Sequence, residues 1–212
     1  LRPRGAREDA TDYDNDTALQ AAEKMGCFDV NKIFGAWSNS ESRDEKLFEA
    51  SNEGKTRLVR GLLIAGSGYE FRNAAHDQAI HKAARAGHSD VVHVLLEAGA
   101  DINSKGQAGN TPLCKAVYTG QLRTARYLLD SGAEINTQEE SGFTALHWAT
   151  MFNHLSLVCE LLDSDADKSI ADNYGDTALD IARQYNYKDS ALLLDDSKIS
   201  SDEKYQAKVV LL

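Results

Sequence analysis

The sequence contains little cysteine, and the few cysteines that it has are isolated from one another. Cys27, Cys114 and Cys159 are the three in a chain of 212 residues. No two of them show the two-residue spacing of a metal site, and an odd number without a disulfide framework indicates free thiols. Free thiols are typical of a reducing compartment. We therefore expect the protein in the cytoplasm, the nucleus or both.

Long hydrophobic runs are also absent. No apolar stretch approaches the roughly 18 to 20 residues that a membrane-spanning helix needs, and no signal peptide is present. The chain begins with Leu1 rather than methionine. We expect residues 1–11 to be a flexible N-terminal segment or a cloning remnant, or else the cut edge of a longer chain that carries further targeting information.

Positive charge is scarce. The chain has 23 Lys and Arg against 33 Asp and Glu, which gives a formal net charge of -10 at pH 7. Nucleic acid and anionic membrane surfaces both require a basic patch on the protein, so the composition argues against either as a partner. A basic protein partner is compatible with this charge.

Catalytic and cofactor-binding motifs are missing as well. The sequence lacks a nucleophile-elbow serine, a phosphate-binding loop, a Cys-x-x-Cys pair and a His-Glu-x-x-His motif. Four histidines lie close together, but their spacing does not suit a metal site: His76, His81, His88 and His93. We expect no enzymatic activity, no cofactor and no metal site.

The chain does contain an internal repeat with a period of 33 residues. One hydrophobic position marks it at Leu47, Ile80, Leu113, Leu146 and Leu179. Self-similarity at this period is typical of a solenoid, in which each unit buries its apolar face only by stacking on its neighbours. A content of 42% hydrophobic and 26% charged residues is ordinary for a folded chain and allows a continuous core.

The unit around Leu113 shows the pattern most clearly. Thr111 is placed to cap a first helix, and Pro112 suits its first position, where a missing N–H costs nothing. Gly120 is expected to end this helix in a left-handed conformation. A second helix then carries Ala125, Leu128 and Leu129 at helical spacing. Each unit is therefore predicted to be a helical pair.

These motifs resemble the ankyrin repeat. The neighbouring units agree, with Thr144-Ala145-Leu146-His147 in one and Thr177-Ala178-Leu179 in the next. The resemblance implies an all-α, ankyrin-repeat solenoid of stacked helix-turn-helix units with hairpin-like loops. It also implies structural roles for His81 and His147, whose imidazoles hydrogen-bond between adjacent repeats, and for the histidines at 88 and 154.

About six repeats follow from this resemblance, and the first and last are atypical. Leu19 precedes Leu47 by 28 residues instead of 33, so the first unit is short. We expect the polar stretch 38–42 to replace its hairpin. A polar outer end of the last unit suits a cap. The expected boundaries are 12–39 for the atypical first repeat, 40–72 for a degenerate second, 73–105, 106–138 and 139–171 for repeats three to five, 172–196 for the capping repeat, and 197–212 for a C-terminal tail with a short helix at 201–208.

The resemblance further implies a partner-binding surface. In ankyrin arrays the hairpin tips and the exposed side of the first helices line a concave groove that contacts other proteins. The candidate partner-binding residues are those at such positions, which the stack does not need: Arg85, Gln107, Asn110, Tyr118, Glu140, Phe143, Met151, Phe152, Asn173, Tyr174, Asp176 and Tyr185. Aromatic residues and Met are enriched at interface centres, so the aromatic members with Met151 form a candidate stripe. The alternative is that some of them pack against one another or on the C-terminal tail. Trp148 is interpreted as structural.

Charge adds a second feature to this surface. Repeat five holds six acidic residues and one base, Lys168. We expect a partner protein with apolar anchors flanked by basic residues. Some ankyrin proteins are hydroxylated on asparagine at the place of Asn103 and Asn136, which makes both candidate hydroxylation sites; turn hydrogen bonding also explains them.

The function expected from these observations is a non-enzymatic scaffold or adaptor that binds another protein. One alternative is a targeting or assembly module within a larger enzyme or channel. Inhibition of a transcription factor or a kinase is another, because ankyrin-family inhibitors of both kinds exist. A secreted pathogen effector is a third, and the residues do not discriminate it.

Overall fold

A computed structural model describes residues 40–195, with side chains from residue 43 onward. The described helices form five consecutive pairs: α1 (Ser40–Asn52) with α2 (Thr56–Ile64), α3 (Ala79–Ala86) with α4 (Ser89–Glu97), α5 (Pro112–Tyr118) with α6 (Leu122–Asp130), α7 (Ala145–Met151) with α8 (Leu155–Asp163), and α9 (Ala178–Gln184) with α10 (Lys188–Leu194). Within these residues there is no strand, and one isolated bridge joins Ala171 and Thr177. The fold is all-α. The predicted first repeat and the predicted tail with its helix lie outside the described residues.

The described residues belong to two compact units, with the boundary in the chain between Asp101 and Ile102. In the first unit, α1 packs against both α2 and α3, and α2 packs against α4. The core between these helices consists of side chains that are at most 1% exposed, including Leu47, Leu62, Ile80 and Leu95. Two of the period-marking residues are therefore buried here, as the repeat pattern predicts.

The second unit contains the other three helix pairs. The first helices of its repeats, α5, α7 and α9, pack against one another in order, and so do the second helices α6, α8 and α10. Leu113, Leu128, Leu146 and Leu161 fill the core and are at most 1% exposed. Leu179 is half-buried instead. Among the first helices of the described repeats, α9 is the last and contacts only α7, so its period-marking residue, Leu179, is less covered.

The helix starts follow the predicted capping chemistry. The Thr111 hydroxyl accepts a hydrogen bond from the backbone N–H of Cys114, and Pro112 occupies the first turn. Thr144 and Thr177 form reciprocal capping boxes with His147 and Asp180 respectively. Each cap satisfies backbone donors that the first turn leaves unpaired. The predicted roles of Thr111 and Pro112 are confirmed.

The turn between the two helices is left-handed in every repeat from 40 to 195. Gly120 has φ of 76°, as predicted, and the equivalent residues are Asn153 and Asn186 at 53° and 58°. Repeat four has a second reason to carry glycine at this position, since a Cβ on Gly120 would lie 3.0 Å from the His154 ring. The histidine of the following repeat therefore covers this turn, which agrees with the structural role expected for it.

Helix α1 differs from the sequence-based expectation. The sequence pattern predicts that the stretch 38–42 replaces a hairpin, but α1 already begins at Ser40. The prediction was wrong for residues 40–42 because this segment contains no Gly or Pro that would stop a helix. Polar composition alone does not exclude helical structure. The second repeat thus has a first helix of 13 residues.

Candidate functional site

The hairpin loops of repeats five and six are held by buried carboxylates. Glu139 Oε1 accepts hydrogen bonds from the backbone N–H groups of Ser141 and Phe143, at 2.9 and 3.1 Å. Asp172 Oδ1 does the same for Tyr174 and Asp176, at 2.8 and 3.0 Å. Both carboxylates are thereby used to fix loop backbone. The loop tips are rigid supports for the side chains that they carry.

Adjacent hairpin tips are also hydrogen-bonded to one another. The N–H of Glu140 donates to the carbonyl of Ala108 at 3.0 Å, and the N–H of Asn173 donates to that of Ser141 at 3.0 Å. The Asn173 side chain adds a bond from Nδ2 to the Glu140 carbonyl at 2.8 Å. The tips of repeats four to six therefore form a continuous ladder. Two candidate binding residues, Glu140 and Asn173, contribute backbone groups to it.

Beside this ladder lies a cluster of four aromatic rings, Tyr118, Phe143, Trp148 and Phe152, which we call the aromatic cluster. The Tyr118 ring stands at a steep angle to those of Trp148 and Phe152, with centroids 5.2 and 4.8 Å away. The Phe143 ring lies 5.0 Å from that of Trp148. Such edge-to-face pairs are favourable beyond their buried area. The cluster joins α5 of repeat four to the hairpin and α7 of repeat five.

Trp148 is the centre of this cluster, a role that the sequence pattern does not reveal. Its ring contacts those of Tyr118, Phe143 and Phe152, the last in a stacked arrangement at 5.9 Å. Its indole N–H is buried and has no hydrogen-bond acceptor among the described residues. A signal was present in the sequence, because the same repeat position holds Lys82 and Lys115. A lysine side chain can bury its stem while its ammonium group reaches the surface, so lysine at two equivalent positions indicates a column at the margin of the core, even though Lys115 itself is buried.

The predicted aromatic stripe is divided into separate groups. Tyr118 and Phe152 are 40% and 42% exposed within the cluster, and Phe143 is half-buried there. Tyr174 is 85% exposed at a hairpin tip, and Tyr185 stacks on Tyr187 with centroids 5.8 Å apart. Among the described residues no ring contact joins either of these two to the cluster. The structure thus brings three of the predicted aromatic residues together.

The other candidate residues occupy varied environments. Gln107 and Glu140 are exposed, whereas Asn110, Met151 and Asp176 are half-buried. Asn110 donates from Nδ2 to the Gln107 carbonyl at 3.0 Å, which links two candidates within one hairpin. Arg85 is exposed on α3 and belongs to the first unit. The binding role of these residues stays a prediction.

Asn103 and Asn136 make the same contact one repeat apart. The side-chain oxygen of Asn103 accepts from the N–H of Glu134 at 2.9 Å, and that of Asn136 accepts from Asp167 at 3.0 Å. Each therefore bridges to the turn of the following repeat rather than only closing its own turn. This gives both residues a structural role, and their hydroxylation stays a prediction.

His147 connects the aromatic cluster to repeat six. Its Nδ1 accepts from the Thr144 N–H at 3.1 Å, so the proton of the neutral ring is on Nε2, which donates to the Asp176 carbonyl at 3.2 Å. Its ring stacks on Phe143 with centroids 5.4 Å apart. Burial lowers the pKa of His147 below its usual value. The predicted inter-repeat hydrogen bond of His147 is confirmed.

Two further groups bear on chemistry at this face. Burial raises the pKa of the Cys114 thiol, which disfavours the thiolate that a reactive cysteine needs. The hydroxyl of Thr177 donates to the Asp180 carboxylate and holds the pKa of that group below its usual value.

In residues 40–195 no group of three or more His, Cys, Asp or Glu is placed to hold a metal ion. None of the helices described there has the length and apolar character that crossing a bilayer requires.

The stacked helical pairs, their linked hairpin tips and the aromatic cluster define an all-α repeat protein whose stack presents side chains on a preformed surface. The family model for ankyrin repeats (3 copies) matches residues 47–139 and again 132–204, which together cover well over half of the chain. The protein belongs to the ankyrin-repeat family. Ankyrin repeats generally mediate protein–protein interaction and are generally not enzymes. A search of curated proteins gives no match.

Proposed function

We propose that this protein is a non-enzymatic scaffold or adaptor that binds a partner protein through the aromatic cluster and the adjoining hairpin tips of repeats four to six. The observation that carries the proposal is the partial exposure of Tyr118 and Phe152 in a cluster whose rings hold one another in place. Aromatic side chains are the residues most enriched among interface hot spots. Rings that are already ordered lose little side-chain entropy when a partner binds.

The hairpin tips support the same proposal. Their backbone is fixed by Glu139 and Asp172 and by the ladder between tips, so Glu140, Asn173 and Tyr174 project from an ordered frame. A partner that contacts the cluster therefore meets a rim of polar side chains beside an apolar centre. This arrangement of centre and rim is the usual anatomy of protein interfaces.

The test is a triple variant, Tyr118→Ala with Phe152→Ala and Tyr174→Ala. We expect it to lose capture of the partners that the unchanged chain retains from a cell lysate, because truncation of a single hot-spot ring costs about 2 kcal/mol or more, roughly 30-fold in affinity. Tyr174→Ala alone should reduce partner capture less than Tyr118→Ala or Phe152→Ala alone, since the Tyr174 ring lies outside the cluster.

The matched control is Tyr127→Ala, which removes a half-buried ring of the same chemistry from α6, the second helix of repeat four. It should lose some thermal stability and keep its partners. Retained capture by a folded triple variant would place the binding surface elsewhere on the protein. Loss of capture by the control to the same degree would show that destabilisation, and not a lost contact, explains the result.

A further inference from the structure

The aromatic cluster lies among acidic groups. The hairpins and first helices of repeats five and six, residues 138–151 and 171–185, contain five carboxylates and one base: Glu139, Glu140, Asp172, Asp176, Asp180 and Arg183. The base is already engaged, because Arg183 donates to the Asp195 carboxylate at 2.9 Å. In repeat four, Lys115 precedes Tyr118 on α5 and is buried. Because Glu139 and Asp172 are buried, the charges that reach the surface here are those of Glu140, Asp176 and Asp180 and the already paired Arg183, so negative charge predominates.

Two of these carboxylates remain available to a partner. Those of Glu139, Asp172 and Asp180 accept hydrogen bonds from their own loops or helix starts. The side chains of Glu140 and Asp176 take part in no ion pair among the described residues. Glu140 is exposed at a tip three residues before Phe143, and the backbone of Asp176 is bonded to His147, which stacks on the same Phe143 ring. Both groups thus border the cluster.

The first unit shows how this chain uses a cation on an equivalent helix. There Lys82 on α3 places its Nζ over the Phe48 ring of α1, 5.4 Å from the centroid. The position of Lys82 recurs 66 residues later as Trp148. Repeat three therefore supplies the cation of a cation–π pair, whereas repeat five supplies a ring at the same place.

We propose, building on the protein-binding function above, that the aromatic cluster binds an arginine-bearing basic segment of the partner. A guanidinium packs against the exposed parts of the Tyr118 and Phe152 rings, and a neighbouring basic residue of the segment pairs with Glu140. A ring face attracts a cation through its quadrupole, and nearby carboxylates add to this attraction. Arginine fits better than lysine because its guanidinium is planar, stacks on rings and is more weakly hydrated.

The experiment uses the intact chain and a fluorescein-labelled peptide, Gly-Arg-Leu-Arg-Leu-Arg-Gly, with fluorescence anisotropy as the readout. The comparison peptide carries citrulline in place of each arginine, which keeps the planar hydrogen-bonding shape and removes the charge. We expect the arginine peptide to bind about 10-fold more tightly or better. Equal affinity of the two peptides, or no binding of the arginine peptide at concentrations up to about 1 mM, would overturn the proposal.

A matched pair of variants separates the rings from the overall charge of -10. Tyr118→Leu with Phe152→Leu keeps both positions apolar and leaves the charge unchanged, so we expect roughly 3- to 30-fold weaker binding of the arginine peptide from the lost cation–π contact. Tyr127→Leu on α6 should bind as the unchanged chain does. If the double variant binds the arginine peptide as tightly as the unchanged chain does, general electrostatic attraction explains the binding and the proposal fails.

Glu140→Gln tests the second contact, with about a 2- to 5-fold loss expected at low salt and less at high salt. The result is distinguishable from a failure of the broader function. If the alanine triple variant loses its captured partners while the arginine and citrulline peptides bind alike, the protein-binding function stands and the arginine preference is wrong. If the triple variant keeps its partners, the surface itself is misassigned.

Discussion

A single added methyl group at Gly142 should disrupt the ladder of hairpin tips. Gly142 has φ of 85°, and a Cβ there would lie 2.6 Å from the backbone nitrogen of Asn173 and 2.7 Å from its side-chain oxygen. Gly175 stands one repeat later at φ of 89°, but a Cβ there meets nothing within 4 Å. The two glycines share a backbone conformation and differ in the space around them. Gly142→Ala and Gly175→Ala therefore form a matched pair.

The expected magnitudes follow from these two situations. Alanine in a left-handed conformation costs about 1 to 2 kcal/mol, of which about 0.4 to 1 is offset because the unfolded chain loses entropy. Gly175→Ala should pay only this net cost. Gly142→Ala also displaces Asn173 and so weakens its two bonds, to the carbonyls of Ser141 and Glu140. At about 1 kcal/mol each, the additional loss is about 2 kcal/mol, or roughly 4 to 8 °C in Tm.

Thermal unfolding followed by circular dichroism measures the difference between the two variants. Amide hydrogen exchange at Asn173 provides a local readout, which should become faster in Gly142→Ala and stay near its original rate in Gly175→Ala. Equal losses of stability in both variants, with unchanged exchange at Asn173, would refute the close approach of the two hairpin tips. In that case only the backbone conformation would matter at either glycine.

Two further predictions concern stability. Leu128→Ala should lower the free energy of unfolding by about 2 to 5 kcal/mol, roughly 4 to 20 °C in Tm, because Leu128 is 0% exposed. The controls are Leu129→Ala at a half-buried position and Arg126→Ala at an exposed one, which removes the ion pair with Glu160; both should cost less, and equal losses would contradict the assigned helix faces. His147 is buried and its pKa is lowered, so the unfolded chain binds more protons, and stability should fall as the pH drops from about 7 through the unfolded value near 6.5 toward 5. Urea unfolding of His147→Gln should show a shallower decline over this range, and parallel curves would exclude His147 as the titrating group.

The sequence predicts the repeated features of the fold well, because each is dictated by local chemistry. A capping threonine, a proline in the first turn and a left-handed turn residue act within a few positions of themselves, and the period carries them from one repeat to the next. Thr111, Pro112 and Gly120 are all confirmed in these roles. The inter-repeat bond of His147 follows from the family resemblance and is also confirmed.

The sequence predicts the candidate site less well, because its features depend on contacts between repeats. Tyr118 and Phe152 are 34 positions apart, and their contact exists only because α5 and α7 stack. The sequence predicts only a structural role for Trp148, since helical spacing does not show that three other rings meet around it. The ladder between tips was missed for the same reason, as its backbone bonds involve residues of any type.

The start of α1 illustrates a different limit. Boundaries are predicted from residues that stop a helix, and the segment before Leu47 contains neither Gly nor Pro near Ser40. The helix therefore extends further upstream than the repeat pattern suggests. A degenerate repeat departs from the pattern where the local signals are weakest.

The central position of Trp148 makes the proposed surface its own optical probe. Indole emission responds to the polarity and mobility of its surroundings, and this ring is half-buried beside the two rings that a partner would cover. The sequence contains one other tryptophan, Trp37. In a Trp37→Phe background all tryptophan fluorescence arises from the aromatic cluster, so a partner can be titrated without any label and its arrival read directly at the residue that organises the site.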